Sequence, residues 1–134
     1  MDDTVNELQI TDHFKLRELW SPDNYEILMA PLFWRHMELL EELRQAYGKW
    51  IIVNSGHRSD EHNAHVGGAP KSMHLEFATD IRPSGGGDSM GVELDNLYNL
   101  AKGLRFTGIG RYNTFLHLDR RDIIGRTPAE WDNR

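Results

Sequence analysis

With 134 residues, a formal charge of −6 and no cysteine, the chain has room for one domain around a single core and too little for two. The lack of cysteine excludes a disulfide framework and a thiolate metal site, leaving imidazole and carboxylate as the ligands any metal would find. Scattered Arg and Lys exclude the basic face that general nucleic-acid binding requires, and no window approaches the roughly 18 apolar residues that span a bilayer, so neither nucleic acid nor membrane is an expected partner.

Hydrophobic residues at 39% and charged residues at 27% are ordinary for a folded protein. Residues 1–12 are polar and read as a loose N-terminal arm of a single domain spanning 1–134. They carry neither the basic flank nor the apolar run of a secretory signal, so synthesis in the cytoplasm is expected. The segment from His13 to Trp20 places Phe14, Leu16, Leu19 and Trp20 in one apolar cluster, consistent with a helical turn. Ser21 to Asn24 reads as a turn, because Pro22 fixes φ and the Asp and Asn side chains can bond nearby backbone.

From Pro31 to Tyr47, Phe33, Met37, Leu40, Leu43 and Tyr47 recur at steps of three and four, the stripe of an amphipathic helix that Pro31 opens and Gly48 ends. Trp50 to Asn54 is a short β-branched run, hence a buried strand. Asp60 to Val66 suits a short helix capped by Ser59 and closed by Gly67 and Gly68. Phe77 to Arg82 reads as a second strand, followed by a glycine-rich connector, Pro83 to Ser89. Leu94, Leu97, Leu100, Ala101 and Leu104 set out a second amphipathic helix ending at Gly103. Two strands follow, around Phe106–Tyr112 and Thr114–Arg120, and the tail reads as a surface turn that Trp131 pins to the body. Together these elements predict an α+β domain: a small, mostly antiparallel sheet packed by two main helices on one side, with the site on the open face.

Four of the seven histidines fall between Ser55 and Pro83, a segment that also holds Asp80. Hydrolytic zinc usually takes three imidazole or carboxylate ligands and keeps a fourth position open. His74, Asp80 and the later His117 can supply such a set. His57, His62 and His65 are expected at the rim of the site or on a helix surface, and His13 and His36 at the surface.

The ordered series FKLREL, SGHRS, HNAHVGGAPKSMHL, ATDIRP and GIGRYNTFLHLD resembles the M15 family of zinc D-alanyl-D-alanine carboxypeptidases and related phage endolysins. The resemblance covers roughly Phe14 to Asp122. It implies a hedgehog/DD-peptidase α+β fold and hydrolysis of peptide bonds in the stem peptides of peptidoglycan. By the same resemblance His74, Asp80 and His117 are the zinc ligands, Arg58 grips a substrate carboxylate, and Ser72 is the serine two residues before the first ligand. His57 stands where the family more often shows Tyr and can hydrogen-bond a developing oxyanion. The bland alternatives are a salt bridge from Arg58 to Asp60 or Asp80 and a turn role for Ser72.

Two departures from the family pattern matter. The step from His74 to Asp80 is six residues where the family usually has seven, with Phe77 in place of a common glycine. Relative to that pattern the slip turns Asp80 to the other strand face unless a bulge or shorter loop restores it, and Glu76 is the substitute oxygen. Thr114 and Phe115 stand where relatives carry an acid or second histidine, so the general base falls to Asp119, which lies two residues after His117 and can equally orient that ring from behind. The expected function is thus zinc-dependent cleavage of D-alanyl-D-alanine or L-alanyl-D-glutamate bonds in peptidoglycan, by a phage lysis protein acting at the cell wall, with a monomer as the default. The rivals are an inactive zinc-containing binding module and a virion structural protein of the same fold.

Overall fold

The computed structural model describes residues 8–19, 31–58, 60–69, 71–85 and 87–134. The turn expected at Ser21 to Asn24, Trp20 of the first apolar cluster and the Ser59 cap lie outside them. Residues 9–11 do not form a loose arm: strand β1 (Gln9–Thr11) pairs antiparallel with β2 (Phe14–Lys15). Glu41 ties this ribbon down by accepting from the Thr11 hydroxyl at 2.7 Å and the His13 backbone N–H at 2.8 Å, and it pairs with the half-buried His13 ring. A single 3-10 turn, Leu16–Glu18, follows.

Helix α1 (Pro31–Tyr47) has the expected bounds and ends at Gly48, whose φ of 72° is the left-handed conformation that stops a helix. Its inward stripe includes Phe33, Met37, Leu40 and Leu43. His36, expected at the surface, is wholly buried on this stripe. It lies three residues after Phe33 and four before Leu40, so the 3.6-residue period turns it to the core. There it packs edge-on to Phe77 and Phe106, and its Nε2 hydrogen-bonds the Thr79 hydroxyl at 2.9 Å. Burial drives its pKa down from 6.5 to about 3, so the ring is neutral.

Strand β3 (Ile51–Ser55), helix α2 (Asp60–His65), strand β4 (Ala78–Pro83) and helix α3 (Met90–Gly103) come next. They are followed by β5 (Gly108–Arg111), β6 (Leu116–Asp119) and β7 (Ala129–Asp132). Helix α3 ends at Gly103 as expected, and the chain then turns through Leu104 and a left-handed Arg105 (φ 74°). The sheet order is β3-β4-β6-β5-β7, with every pair antiparallel except β5 and β7. The C-terminal tail is therefore an edge strand and not a surface turn, and the fold is α+β with a mixed five-stranded sheet.

Because strand side chains alternate, β4 and β6 each present two faces. Ile81, Leu116 and Leu118 join Leu97 and Ala101 of α3 and the α1 stripe in one core. Asp80, His117 and Asp119, at the intervening positions, face the other way. Among the described residues no helix is long and apolar enough to cross a membrane.

Candidate metal centre

The centre is built on the pairing of β4 with β6, where Asp80 stands directly opposite His117. His74 reaches them from a different element. It lies on a 3-10 turn, Met73–Leu75, whose preceding residue Ser72 accepts the His74 backbone N–H on its hydroxyl at 3.2 Å. The six-residue step from His74 to Asp80 is thus not a strand spacing. The chain rises through the turn, drops the Phe77 ring into the core against Phe33 and His36, and only then enters β4. The register of β3 against β4 also shifts between Val53 and Ser55, directly beside Asp80.

The three side chains bring their donors together. Asp80 Oδ1 is 3.1 Å from His74 Nε2 and 3.0 Å from His117 Nδ1. Among the described residues this is the group whose ligand atoms all lie within 4.8 Å of one another. Donors around one tetrahedral zinc ion, with bonds of about 2.0–2.1 Å, sit roughly 3.3 Å apart.

The far side of each ring decides what its near side offers. His74 Nδ1 lies 2.6 Å from the Gly56 carbonyl, which can only accept, so the ring donates there and Nε2 carries a lone pair. His117 Nε2 lies 2.7 Å from Asp119 Oδ2 and donates to it, so in the neutral ring Nδ1 carries a lone pair. Two imidazole lone pairs and a carboxylate oxygen therefore point at one another in a buried place, and buried His74 Nε2 has no hydrogen-bond partner. Only a positive species among them satisfies all three. The electrostatics agree. Burial opposes the Asp80 charge, but His117 and His74 outweigh it and hold the carboxyl well below the usual carboxylate range. Burial likewise opposes a cation on His117, yet Asp119 and Asp80 raise its pKa. The residues present fit a divalent metal.

Asp119 is wholly buried and fully engaged. Its Oδ1 accepts from the Arg121 backbone N–H and Nε, both at 3.0 Å, and its Oδ2 accepts from Arg121 Nη2 at 2.8 Å besides His117. Burial opposes this charge too, but His117 and Arg121 hold its carboxyl well below the usual range. The residue sits behind His117, away from the cleft.

Over the metal position opens a cleft of about 410 Å³. Arg58, Lys71, Arg121 and Arg126 line it, and Asp80 is the one carboxylate among its described lining residues. Arg58 sits close to the centre: its Nη2 is 3.6 Å from Asp80 Oδ2, while Nε and Nη1 donate to Ser55 Oγ at 3.2 Å and Asn63 Oδ1 at 3.3 Å. Its backbone N–H also holds the His74 carbonyl at 2.7 Å. Ser72 lines the cleft while capping the turn. The structure does not bring His57 to the cleft: it is buried, with its backbone N–H on the Leu19 carbonyl at 2.7 Å. Glu76 is exposed at the end of the 3-10 turn and does not line the cleft either. His65 is exposed, and the His62 side chain lies outside what is described.

Sequence reasoning missed the aromatic wall. Trp131 of β7 leans on His117 with ring centroids 5.1 Å apart, and its Nε1 donates to the Tyr112 hydroxyl at 2.9 Å. Tyr112 stacks on Phe115 at 4.2 Å. Arg121 lies over the Trp131 ring at 5.2 Å. The signal that could have found this was Gly108-x-Gly110. A Cβ at Gly108 would come within 2.1 Å of the Asp119 carboxylate, and one at Gly110 within 2.4 Å of the Trp131 ring. Those two positions are bare because side chains from the neighbouring strands lie across them.

The α+β domain thus gathers two imidazoles and a carboxylate beneath a basic cleft, each imidazole pinned from behind, in a group that could hold a metal ion. The chain belongs to the peptidase M15 family: that family's model matches residues 12–119. It is accordingly a domain of metallopeptidase type, and a peptide is the class of substrate that follows. A comparison with curated proteins finds no match. The family match stops at Asp119, so Arg121, Arg126 and the whole of β7 lie beyond it.

Proposed function

We propose that this protein is a zinc peptidase that hydrolyses peptide bonds in the stem peptides of peptidoglycan, of the D-alanyl-D-alanine or L-alanyl-D-glutamate type, and that it acts at the cell wall as a phage lysis protein. The observation that carries the reading is the convergence of His74 Nε2, His117 Nδ1 and Asp80 Oδ1 on one buried point at the foot of a basic cleft. Zinc held by these three residues would supply Lewis-acid polarisation of the scissile carbonyl and a nucleophile at neutral pH. Arg58, fixed by Ser55 and Asn63, offers a planar two-pronged donor for a substrate carboxylate beside the centre. Ser72 and the Gly56 carbonyl set the orientation of His74, and Asp119 sets that of His117. The Tyr112, Phe115 and Trp131 rings wall the cleft with apolar surface for the peptide.

One observation favours a second reading. Among the described lining residues Asp80 is the one carboxylate and both imidazoles are ligands, so no free general base faces the cleft. A zinc-containing binding module would show the same arrangement. Digestion of purified peptidoglycan with mass analysis of the products, run beside His74→Ala, separates the two. New termini released by the parent and not by the variant support the peptidase. A protein that holds one zinc and releases none is the binding module. A protein whose melting temperature ignores chelation is neither; zinc at about 100 times its Kd should otherwise add about 2.7 kcal/mol, or roughly 10 °C.

A further inference from the structure

Four cations line the cleft among the described residues, and they are not equivalent. Arg121 is spent on Asp119 through two side-chain contacts of 3.0 and 2.8 Å. Arg58 stands against Asp80 at 3.6 Å. Lys71 and Arg126 have no carboxylate within ion-pair distance among the described residues, although the chain as a whole carries −6.

The same two residues are held side by side. Arg126 Nη1 donates to the Lys71 backbone carbonyl at 3.0 Å, and the Arg126 backbone N–H donates to the Arg121 carbonyl at 3.0 Å. On the other side, the loop carrying Lys71 is closed by Ser72 N–H on the Ala69 carbonyl at 3.0 Å. The guanidinium is thus oriented before any ligand arrives, with Nε and Nη2 making no hydrogen bond among the described residues. Both residues add positive charge to the same cleft, and an anion placed there is favoured by each. An oriented guanidinium and a lysine lining the same cleft suit a carboxylate, which can take two donors from the first and one from the second.

We infer that Lys71 and Arg126 form a second carboxylate subsite, so that the peptide taken by this cleft carries a free side carboxylate in addition to the group met by Arg58. The inference rests on the peptidase reading for the identity of the ligand as a peptide, and it deepens that reading by naming the class: acidic stem peptides in preference to amidated ones. Arg126 lies beyond the segment that matches the family, so this selectivity belongs to the chain's own C-terminal part.

The test is calorimetry on the zinc-loaded full chain with two synthetic stem-peptide fragments. Both have the scissile amide N-methylated against turnover, and they differ in a single glutamate carboxylate, free in one and amidated in the other. The free form is expected to bind about tenfold more tightly at low salt, with the gap narrowing as salt rises. Combined Lys71→Gln and Arg126→Gln should close the gap while zinc stays at one per chain, and Arg126→Lys, which keeps the charge, should retain most of it. Equal affinities in the parent, or a gap that survives the double variant, overturn the subsite. Failure of both peptides to bind a zinc-loaded chain overturns it too, leaving the metal centre standing. A gap measured on a chain that takes up no zinc keeps the subsite and sinks the peptidase reading instead.

Discussion

Replacing Asp119 by Asn tests whether this carboxylate orients His117 or acts as a base. In the parent, Oδ1 faces two donors of Arg121, and Oδ2 faces His117 Nε2 and Arg121 Nη2. An amide has one oxygen, so whichever way it turns, its NH2 meets donors. Turned toward Arg121 it breaks the fork. Turned toward His117 it calls for a lone pair on Nε2 and moves the ring proton to Nδ1, the atom that faces Asp80 and the metal position. Either way the ligand set is impaired, by about 10- to 100-fold in zinc affinity, or about 1.4–2.7 kcal/mol. Without zinc, leaving Arg121 without its buried partner destabilises the fold by about 3–5 kcal/mol. Competition against a chromophoric chelator measures the first quantity and urea unfolding of the zinc-free protein the second. A variant that binds zinc as tightly as the parent, yet no longer cleaves, would refute the orienting role and return Asp119 to the part of base.

His36 gives a signed pH dependence: the native ring stays neutral to about pH 3 while the unfolded chain protonates near 6.5, so stability is full above 6.5 and falls as pH drops toward 3, by up to about 1.4 kcal/mol per unit. His36→Gln, which can keep a hydrogen bond to Thr79, should remove that part of the slope in urea melts at pH 7 and 4.5, and an unchanged slope would sink the assignment. Gly110→Ala should expel Trp131, since the new Cβ would lie 2.4 Å from its ring, at about 1–3 kcal/mol; a rise in quenchable tryptophan fluorescence with a lowered melt is expected, and no change in either counts against the packing described.

The parts of the fold that rest on local periodicity were legible in advance. Helix α1 begins and ends where Pro31 and Gly48 punctuate its stripe, and α3 follows its leucines. His36 was misread because a polar residue on an apolar stripe looks like surface until its partner is known, and Thr79 is 43 residues away. The β7 strand was invisible for a similar reason. It has four residues, half-exposed, and its partner β5 contributes glycine at the key positions, so nothing local marks the pairing. Counting His74 to Asp80 as strand spacing failed because His74 rides a 3-10 turn, whose geometry a residue count does not carry.

What made the ligand set readable at all is that core and centre share one register. On β6 the sequence Leu116-His117-Leu118-Asp119 sends its leucines to the helices and its polar residues to the metal, and on β4 Ile81 and Asp80 divide the same way. A slip of one residue in either strand would bury His117 or Asp80 among apolar side chains and expose Leu118 or Ile81 in the cleft. The hydrophobic energy that fixes the sheet therefore also fixes which donors meet. Gly108 and Gly110 extend the rule to β5, where the site face carries no side chain, because Asp119 and Trp131 already occupy the space.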